Sequence, residues 1–338
     1  MAFALSQPGL DTGGSDDIEL FLKQYSGEVL LAYDEMVKIA PTVTRRKLRN
    51  QKSSVFPVIG KSTGKYHAAG EDILTDTALD HEAAATATVN YLDAMKHAEK
   101  EVFCDDLFIS PLFISELDEL RNFYDVRAPY ARKQGMALAR NTDINLMRVV
   151  ITAANETNGI LGDTGNTEHP GGTVITSANS GTDGGALLEA IKDVAIAFDD
   201  NDVPEDSRYC ALAPTQYYLL VQNQDLLNRD FGGGENGIFS EGTVFKAWGM
   251  ELIKTNLLPT DDSSGYQTAG QRGATYLVNA SNTTACCWQK DAIGSVSLMD
   301  VQTEVEYIME RQGHLMLAKV AEGHDFLLPQ ACAQIQTA

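Results

Sequence analysis

Residues 125–155 read DVRAPYARKQGMALARNTDINLMRVVITAAN. Pro129 falls in the first turn of this stretch, where a missing backbone N–H costs nothing. Val126, Tyr130, Ala137, Leu138, Ile144, Met147, Ile151 and Ala154 then recur at helical spacing. The pattern predicts one continuous helix over 125–155, roughly 45 Å long at 1.5 Å per residue. Such a length suits a structural spine better than an enzyme core.

The segment upstream is electrically unusual. The chain has 338 residues, with 26 Lys and Arg against 47 Asp and Glu, a formal net charge of -21. Yet Met36 to Gly70 contains no acid. It holds Lys38, Arg45, Arg46, Lys47, Arg49, Lys52, Lys61 and Lys65, eight of the 26 basic residues. An amphipathic helix precedes it, with Asp16 and Asp17 at its N-terminus, Ile18 to Val37 in its body and Pro41 ending it. Within the basic segment, Val55–Ile59 reads as an edge strand, because Pro57 cannot donate to a ladder. Gly60 and Gly64 bracket a turn, and Lys65–Ala69 is expected to return. A charged hairpin of this kind is not stable alone in water and needs another surface to lie on.

Downstream, Thr86–Leu92 and Glu99–Ile109 read as strands and Ser115–Tyr124 as a short helix. The run NGILGDTGNTEHPGGTVITSANSGTDGG (158–185) is dense in Gly, Asn, Thr and Ser and marks a boundary. Beyond it, Leu187, Leu188, Ile191, Val194 and Phe198 form a helix face with Asp183 as N-cap. Strands are expected at Tyr209–Ala213 and Met250–Thr255, with a helical PTQYYLLV between them, and the tail alternates like strands at Val296–Leu298 and Val305–Met309. The pattern is α+β, with a middle domain inserted between elements that return to a common sheet.

Composition excludes several classes. Hydrophobic residues at 43% and charged residues at 22% describe a folded globular chain. No apolar run approaches the ~20 residues of a membrane span, and the start lacks the basic region of a signal peptide. Five cysteines without framework spacing suit buried thiols in a reducing compartment. The six histidines show no metal-ligand spacing, and VIGKST lacks the first Gly of a phosphate loop. GGGENG (232–237) matches G-x-G-x-x-G without a strand–helix context and reads as a loop. Adjacent acids such as Asp105-Asp106, Asp199-Asp200 and Asp261-Asp262 read as solvated turns. These readings predict no enzyme, no cofactor and no metal. The basic run admits a solvated face, an anion or nucleic-acid patch, or an arm laid on the acidic surface of a neighbouring copy, and the last fits best.

Five blocks then resemble one family in order. They are LFLKQYSGEVLLAYDEM (20–36), SSVFPVIGKSTGKYHAAGED (53–72), FYDVRAPYARKQGMALA (123–139), DVPEDSRYCALAPTQYYLL (202–220) and AIGSVSLMDVQTEVEYIMERQGHLMLAKVAEGHDFLLPQA (292–331). Together they resemble the major capsid proteins of short-tailed, podovirus-type (autographivirus-like) phages, and the resemblance is weakest over 71–96. It implies the Hong Kong-97-type capsid fold: an N-terminal arm over 1–41, an extended loop region over 42–85, and a peripheral domain over 86–158 with its spine helix at 125–155. An axial domain over 159–285 and a return to the peripheral domain over 286–338 complete it.

The implied function is structural: self-assembly through hexamers and pentamers into an icosahedral shell around packaged double-stranded DNA. A scaffolding protein and portal would take part, in the host cytoplasm, without sequence-specific DNA contacts and without a membrane. On this template Arg45, Arg46, Lys47, Arg49, Lys52, Lys61 and Lys65 are intersubunit contacts. Some members cross-link a loop lysine to an Asn of a neighbour; the blocks do not identify that trio, so Lys61 and Lys65 are read as electrostatic contacts. Two other readings are a nanocompartment (encapsulin-like) shell of the same fold and, from another class, an acidic soluble hydrolase with convergent carboxylates in a cleft.

Overall fold

The computed structural model describes residues 16–59, 66–67, 97–117, 127–159, 170–223, 237–238, 243–244, 246–263 and 276–338. The described elements run α1 (Asp16–Met36), β1 (Thr44–Lys47), β2 (Ser53–Ile59), β3 (His97–Phe103), β4 (Phe108–Ser115) and α2 (Arg127–Asn155). They continue with β5 (Thr173–Thr176), α3 (Gly184–Asp200), β6 (Arg208–Leu212), α4 (Pro214–Val221), β7 (Gly237–Ile238), β8 (Thr243–Val244) and β9 (Lys246–Ala247). The last are β10 (Met250–Lys254), β11 (Thr283–Gln289), β12 (Ile293–Ile308), β13 (Gly313–Phe326) and β14 (Cys332–Gln336).

Two sheets share one helix. The first has the order β1-β12-β13-β4 and the second β5-β14-β11-β6-β10-β9; β2-β3 and β7-β8 form separate two-stranded ribbons. The first half of α2 packs Ala131, Leu138 and Ala139 against Tyr25, Val29 and Tyr33 of α1 and against Ile114, Met316, Ala318 and Val320 of the first sheet. Its second half, from Leu146 to Ala153, joins the core of the second sheet with Leu187, Ile191, Phe198, Leu212 and Trp288. The predicted helix is therefore a spine that two cores grip in turn.

The spine's buried row differs from the expected stripe. Leu138, Met147, Ile151 and Ala154 are buried, but Tyr130 and Ala137 face solvent. The inner face of the first half is instead Ala131, Gln134, Gly135, Leu138, Ala139 and Thr142, because α1 crosses there. A Cβ on Gly135 would lie 2.5 Å from the Val29 carbonyl oxygen and 3.1 Å from the Ala32 Cβ, so the crossing needs a bare backbone. Gln134 joins the layers: it accepts from the Tyr25 hydroxyl, and its Nε2 donates to the Ser110 carbonyl at 2.8 Å and the Met316 carbonyl at 3.2 Å.

Several local expectations match the structure closely. Asp183 caps α3 by accepting from the Gly185 N–H at 2.9 Å, and PTQYYLLV is α4. Other expectations need correction. The partner of β2 is not residues 65–69: all of β2 pairs with β3, from Ser53 opposite Phe103 to Ile59 opposite His97. Glu99–Ile109 is two strands, because the chain leaves the ribbon at Cys104 and enters the first sheet at Phe108. Ser115 still belongs to β4, and the expected helix beyond 117 lies outside the described residues, as do Thr86–Leu92, Val126 and most of Gly232–Gly237.

Val296–Leu298 and Val305–Met309 are parts of one strand, β12, which pairs with β13 through two register shifts, between Ser297 and Met299 and between Met299 and Gln302. Those bulges hide its continuity, since the alternation changes phase at each. The tail does not return to a single sheet: β12 and β13 build the first, while β11 and β14 pair in the second. Thr173–Thr176, inside the supposed boundary, is β5, which pairs in parallel with β14.

Gly135→Ala tests the crossing. In an exposed helix this change would gain up to about 1 kcal/mol. Here the added methyl meets a backbone carbonyl, and overpacking of this kind costs about 1–3 kcal/mol. A lower melting temperature of the subunit is expected in calorimetry; an unchanged or higher one would show that α1 does not cross so closely.

Candidate assembly surface

The basic arm is placed by an acid on the spine. Asp143 is buried, and its carboxylate accepts from the backbone N–H groups of Lys38 at 3.0 Å and Ile39 at 3.2 Å. Burial raises its pKa, while those N–H groups oppose the rise. Trp288, fully buried, donates its indole N–H to the Thr42 hydroxyl at 3.2 Å. The chain thus leaves the core at a defined point, and Thr44–Lys47 runs parallel to Gly294–Ser297 as the edge of the first sheet. A sequence of TRRK carries no strand signal; β1 exists because β12 offers an open edge.

Three of the seven candidate cations have partners within the subunit. Arg45 pairs with Glu322, whose side chain is only 6% exposed. The same carboxylate accepts from the Thr142 hydroxyl at 3.1 Å, with the Tyr33 hydroxyl at 3.5 Å. Burial, then the charge of Glu322, pushes the Tyr33 phenol up to about 12. Arg46 donates to the Val55 carbonyl at 3.0 Å and lies 4.0 Å over the Phe56 ring. Lys47 pairs with Asp300, and its hydrogen bond is the main reason that carboxyl sits below its usual range. Both of those side chains are exposed, so the pair contributes little to folding. Arg49 and Lys52, on the loop between β1 and β2, are exposed and have no partner among the described residues. Lys61 and Lys65 lie outside the described residues.

Below the arm lies a buried polar belt that no local sequence pattern assembles. His324 is enclosed and shares a 2.9 Å hydrogen bond between its Nδ1 and the Ser295 hydroxyl. Burial, with a smaller push from Arg45, lowers its pKa from 6.5 to about 3. Its backbone N–H donates to the Tyr276 hydroxyl at 2.9 Å, and that hydroxyl donates to Asp105 at 2.8 Å.

Two outward faces are apolar and carry acids beside the apolar row. On the ribbon, Phe56, Val58 and Val102 face inward, while Val55, Ile59 and Phe103 are exposed beside Glu99 and Glu101. The ribbon lies so close to β13 that a Cβ on Gly323 would meet the Phe103 carbonyl oxygen at 2.0 Å. On the first sheet, the side turned away from the helices shows Ile109, Pro111 and Phe113 of edge strand β4. Leu315 and Leu317 stand opposite Phe113 and Pro111, and Glu306 and Glu304 stand opposite those leucines in turn. A contiguous apolar patch on an open edge strand marks a surface that another chain covers.

Among the described residues, no group of three His, Cys, Asp or Glu side chains could hold a metal ion, and no helix is long and apolar enough to cross a membrane. All five cysteines are buried thiols outside any disulfide. Burial pushes the Cys286 and Cys332 thiols up, and contact with Cys210 together with burial does the same for Cys287. An open cleft of about 310 Å³ lies between the arm and the ribbon, lined by Arg46, Phe56, Val58, Asp291, Leu327 and Leu328 among others.

A spine helix gripped by two sheets, a basic arm at one sheet edge, and apolar strand faces exposed among the described residues fit a shell-forming subunit of the tailed-phage capsid fold. Solved capsids bear this out. That of cyanophage P-SCSP1u matches with a TM-score of 0.73 and 32% identity over 89% of this chain and 88% of that one. The mature capsid of bacteriophage PhiM1 matches in fold, with a TM-score of 0.68 at 14% identity over 89% and 87%. The major capsid protein of Enterobacteria phage T3 is 25% identical, covering 97% of this chain and 94% of its own. The chain belongs to the Gp10A-like major capsid protein family, whose model matches residues 55–336. It is a structural component of a phage virion.

Two predictions follow from the belt. Arg45→Gln leaves the Glu322 carboxylate buried without its cation. Loss of a fully buried pair costs about 3–5 kcal/mol; Arg45 is 37% exposed, so about 1–3 kcal/mol is expected in subunit denaturation. A shift below a few tenths would remove the pair from the folding core. For His324, the folded pKa lies below the unfolded one, so the unfolded chain binds more protons between them. Stability is full above pH 6.5 and is lost progressively as pH falls toward about 3. At about pH 5 the loss is about 2 kcal/mol. His324→Gln should flatten that slope in melts at pH 7 and 5, and an unchanged slope would place the acid sensitivity elsewhere.

Proposed function

We propose that the chain closes an icosahedral shell around packaged double-stranded DNA through hexamers and pentamers, assisted by a scaffolding protein and a portal, and that it does so without catalysis. In this reading residues 1–41 are an arm, 42–85 an extended loop region, 86–158 and 286–338 a peripheral domain, and 159–285 an axial domain. The basic loop of one copy meets the acid-flanked apolar face of the next. Lys61 and Lys65 would extend that contact.

One observation carries this proposal. Arg49 and Lys52 stand exposed on the arm with no partner among the described residues, while the sheet face beside Ile109, Phe113, Leu315 and Leu317 carries Glu306 and a Glu304 that pairs with Lys319. Single exposed pairs contribute about 0–1 kcal/mol. Repetition around a closed shell multiplies them, and the apolar row supplies the desolvated centre of the contact. The hydrolase alternative needs convergent carboxylates in a cleft; among the described residues, the cleft between the arm and the ribbon has Asp291 as its one carboxylate.

Arg49→Glu with Lys52→Glu tests the strap. Both are exposed and have no partner among the described residues, so the subunit's melting should stay within about 0.5 kcal/mol of the parent. Particle yield in gradient sedimentation should fall sharply at low salt, with partial recovery as salt screens the introduced repulsion. Normal yield at low salt would return the arm to a solvated face.

A further inference from the structure

The first half of α2 shows a second concentration of positive charge, unrelated to the arm. Arg132, Lys133 and Arg140 are exposed, and none has a partner among the described residues. At 100° per residue the three fall within about 100° of the helix circumference, and Arg132 and Arg140 are about 12 Å apart along the axis. The only acid in the 29 residues of α2 is Asp143, and it is turned inward onto Lys38 and Ile39. Asp34 and Glu35 are exposed on the neighbouring α1, but no ion pair joins them to this row. In a chain of net charge -21, a helix face holding three exposed cations, unpaired among the described residues, and no acid is a local reversal of sign.

We propose that this face binds the phosphate backbone of double-stranded DNA, resting on the reading that the shell encloses such DNA. Arg and Lys contacts to phosphate position a duplex without reading its sequence, and the planar Arg fork suits phosphate oxygens. A span of about 12 Å along a duplex passes three to four phosphates of one strand, which matches three cations. The face is a poor centre for a protein interface, which would be depleted of charge and rich in aromatics. Here the cations occupy the middle, with Met136 half-buried between them. Repulsion from the acidic remainder is screened beyond about 8 Å, so attraction acts only where the row touches the duplex. Each contact is weak, and the many copies in a shell make the sum.

The test is fluorescence anisotropy of a 20-base-pair duplex of arbitrary sequence with the soluble subunit, across a salt series. Three phosphate contacts predict a log–log salt slope of about -2.7, which is about a 40-fold weakening between about 50 and 200 mM salt. Arg132→Gln and Arg140→Gln should each reduce that slope by about 0.9, and the triple change with Lys133→Gln should abolish binding. Gln keeps helix propensity at exposed sites, and circular dichroism checks the fold. Arg49→Gln with Lys52→Gln should leave DNA binding unchanged.

The proposal is overturned if the parent subunit shows no salt-dependent binding, or if the triple variant binds like the parent. It is also overturned if the triple variant keeps DNA binding but loses particles in sedimentation, which would assign the row to an acidic protein partner. Failure of the unmodified chain to form particles even with a scaffolding protein supplied would sink the shell reading itself, whatever the anisotropy shows.

Discussion

Everything in this subunit depends on one helix being buried twice. The first half of α2 is closed in by α1 and the first sheet, the second half by the second sheet and its helices. Protein interiors are packed as densely as organic crystals, so neither core can shift against the helix without opening voids. The two sheets are therefore held in fixed relation through a shared rod. Asp143 fastens the arm to the same rod, and Gln134 ties it to both α1 and the first sheet. A subunit that must keep its shape in a shell gains from such a layout.

The spine, α3 with its cap, α4 and the central strands were readable from residues 125–155, Asp183 and PTQYYLLV, because local periodicity and capping chemistry determine them. The pairing of β2 with β3 was not, since the partner strand begins 38 residues after β2 ends and nothing local selects it. The charged β1 and the short β5 share that difficulty: each is a strand because a distant edge accepts it. Tyr130 and Ala137 were misplaced for a related reason. Periodicity identifies a helix, but Gly135 decides which side α1 can approach, and a lone glycine in a helix gives no hint of what will cross it.

The candidate surface was legible in part. The excess of positive charge in 36–70 identified the arm, but charge alone does not separate cations that fold the subunit from those left over. Arg45 looks like Arg49 in the sequence; only the structure puts Glu322 beneath the first and solvent around the second. The apolar outer face of β4 was hidden by the reading of Glu99–Ile109 as one strand, which obscured the alternation of Ile109, Pro111 and Phe113. His324 shows no distinguishing pattern at all, and its environment comes from residues as distant as Arg45.

The five buried thiols bear on how long a particle lasts. A virion leaves the reducing interior of its host and then waits, for an unspecified time, in air-equilibrated water. Thiolate is the form that oxidants attack, and burial that raises the thiol pKa keeps that form scarce. Adduct formation on Cys286 or Cys332 would first require the second sheet to open, so the rate of such damage is tied to unfolding of the subunit. Shelf life outside the cell is then set by the same packing that sets its shape.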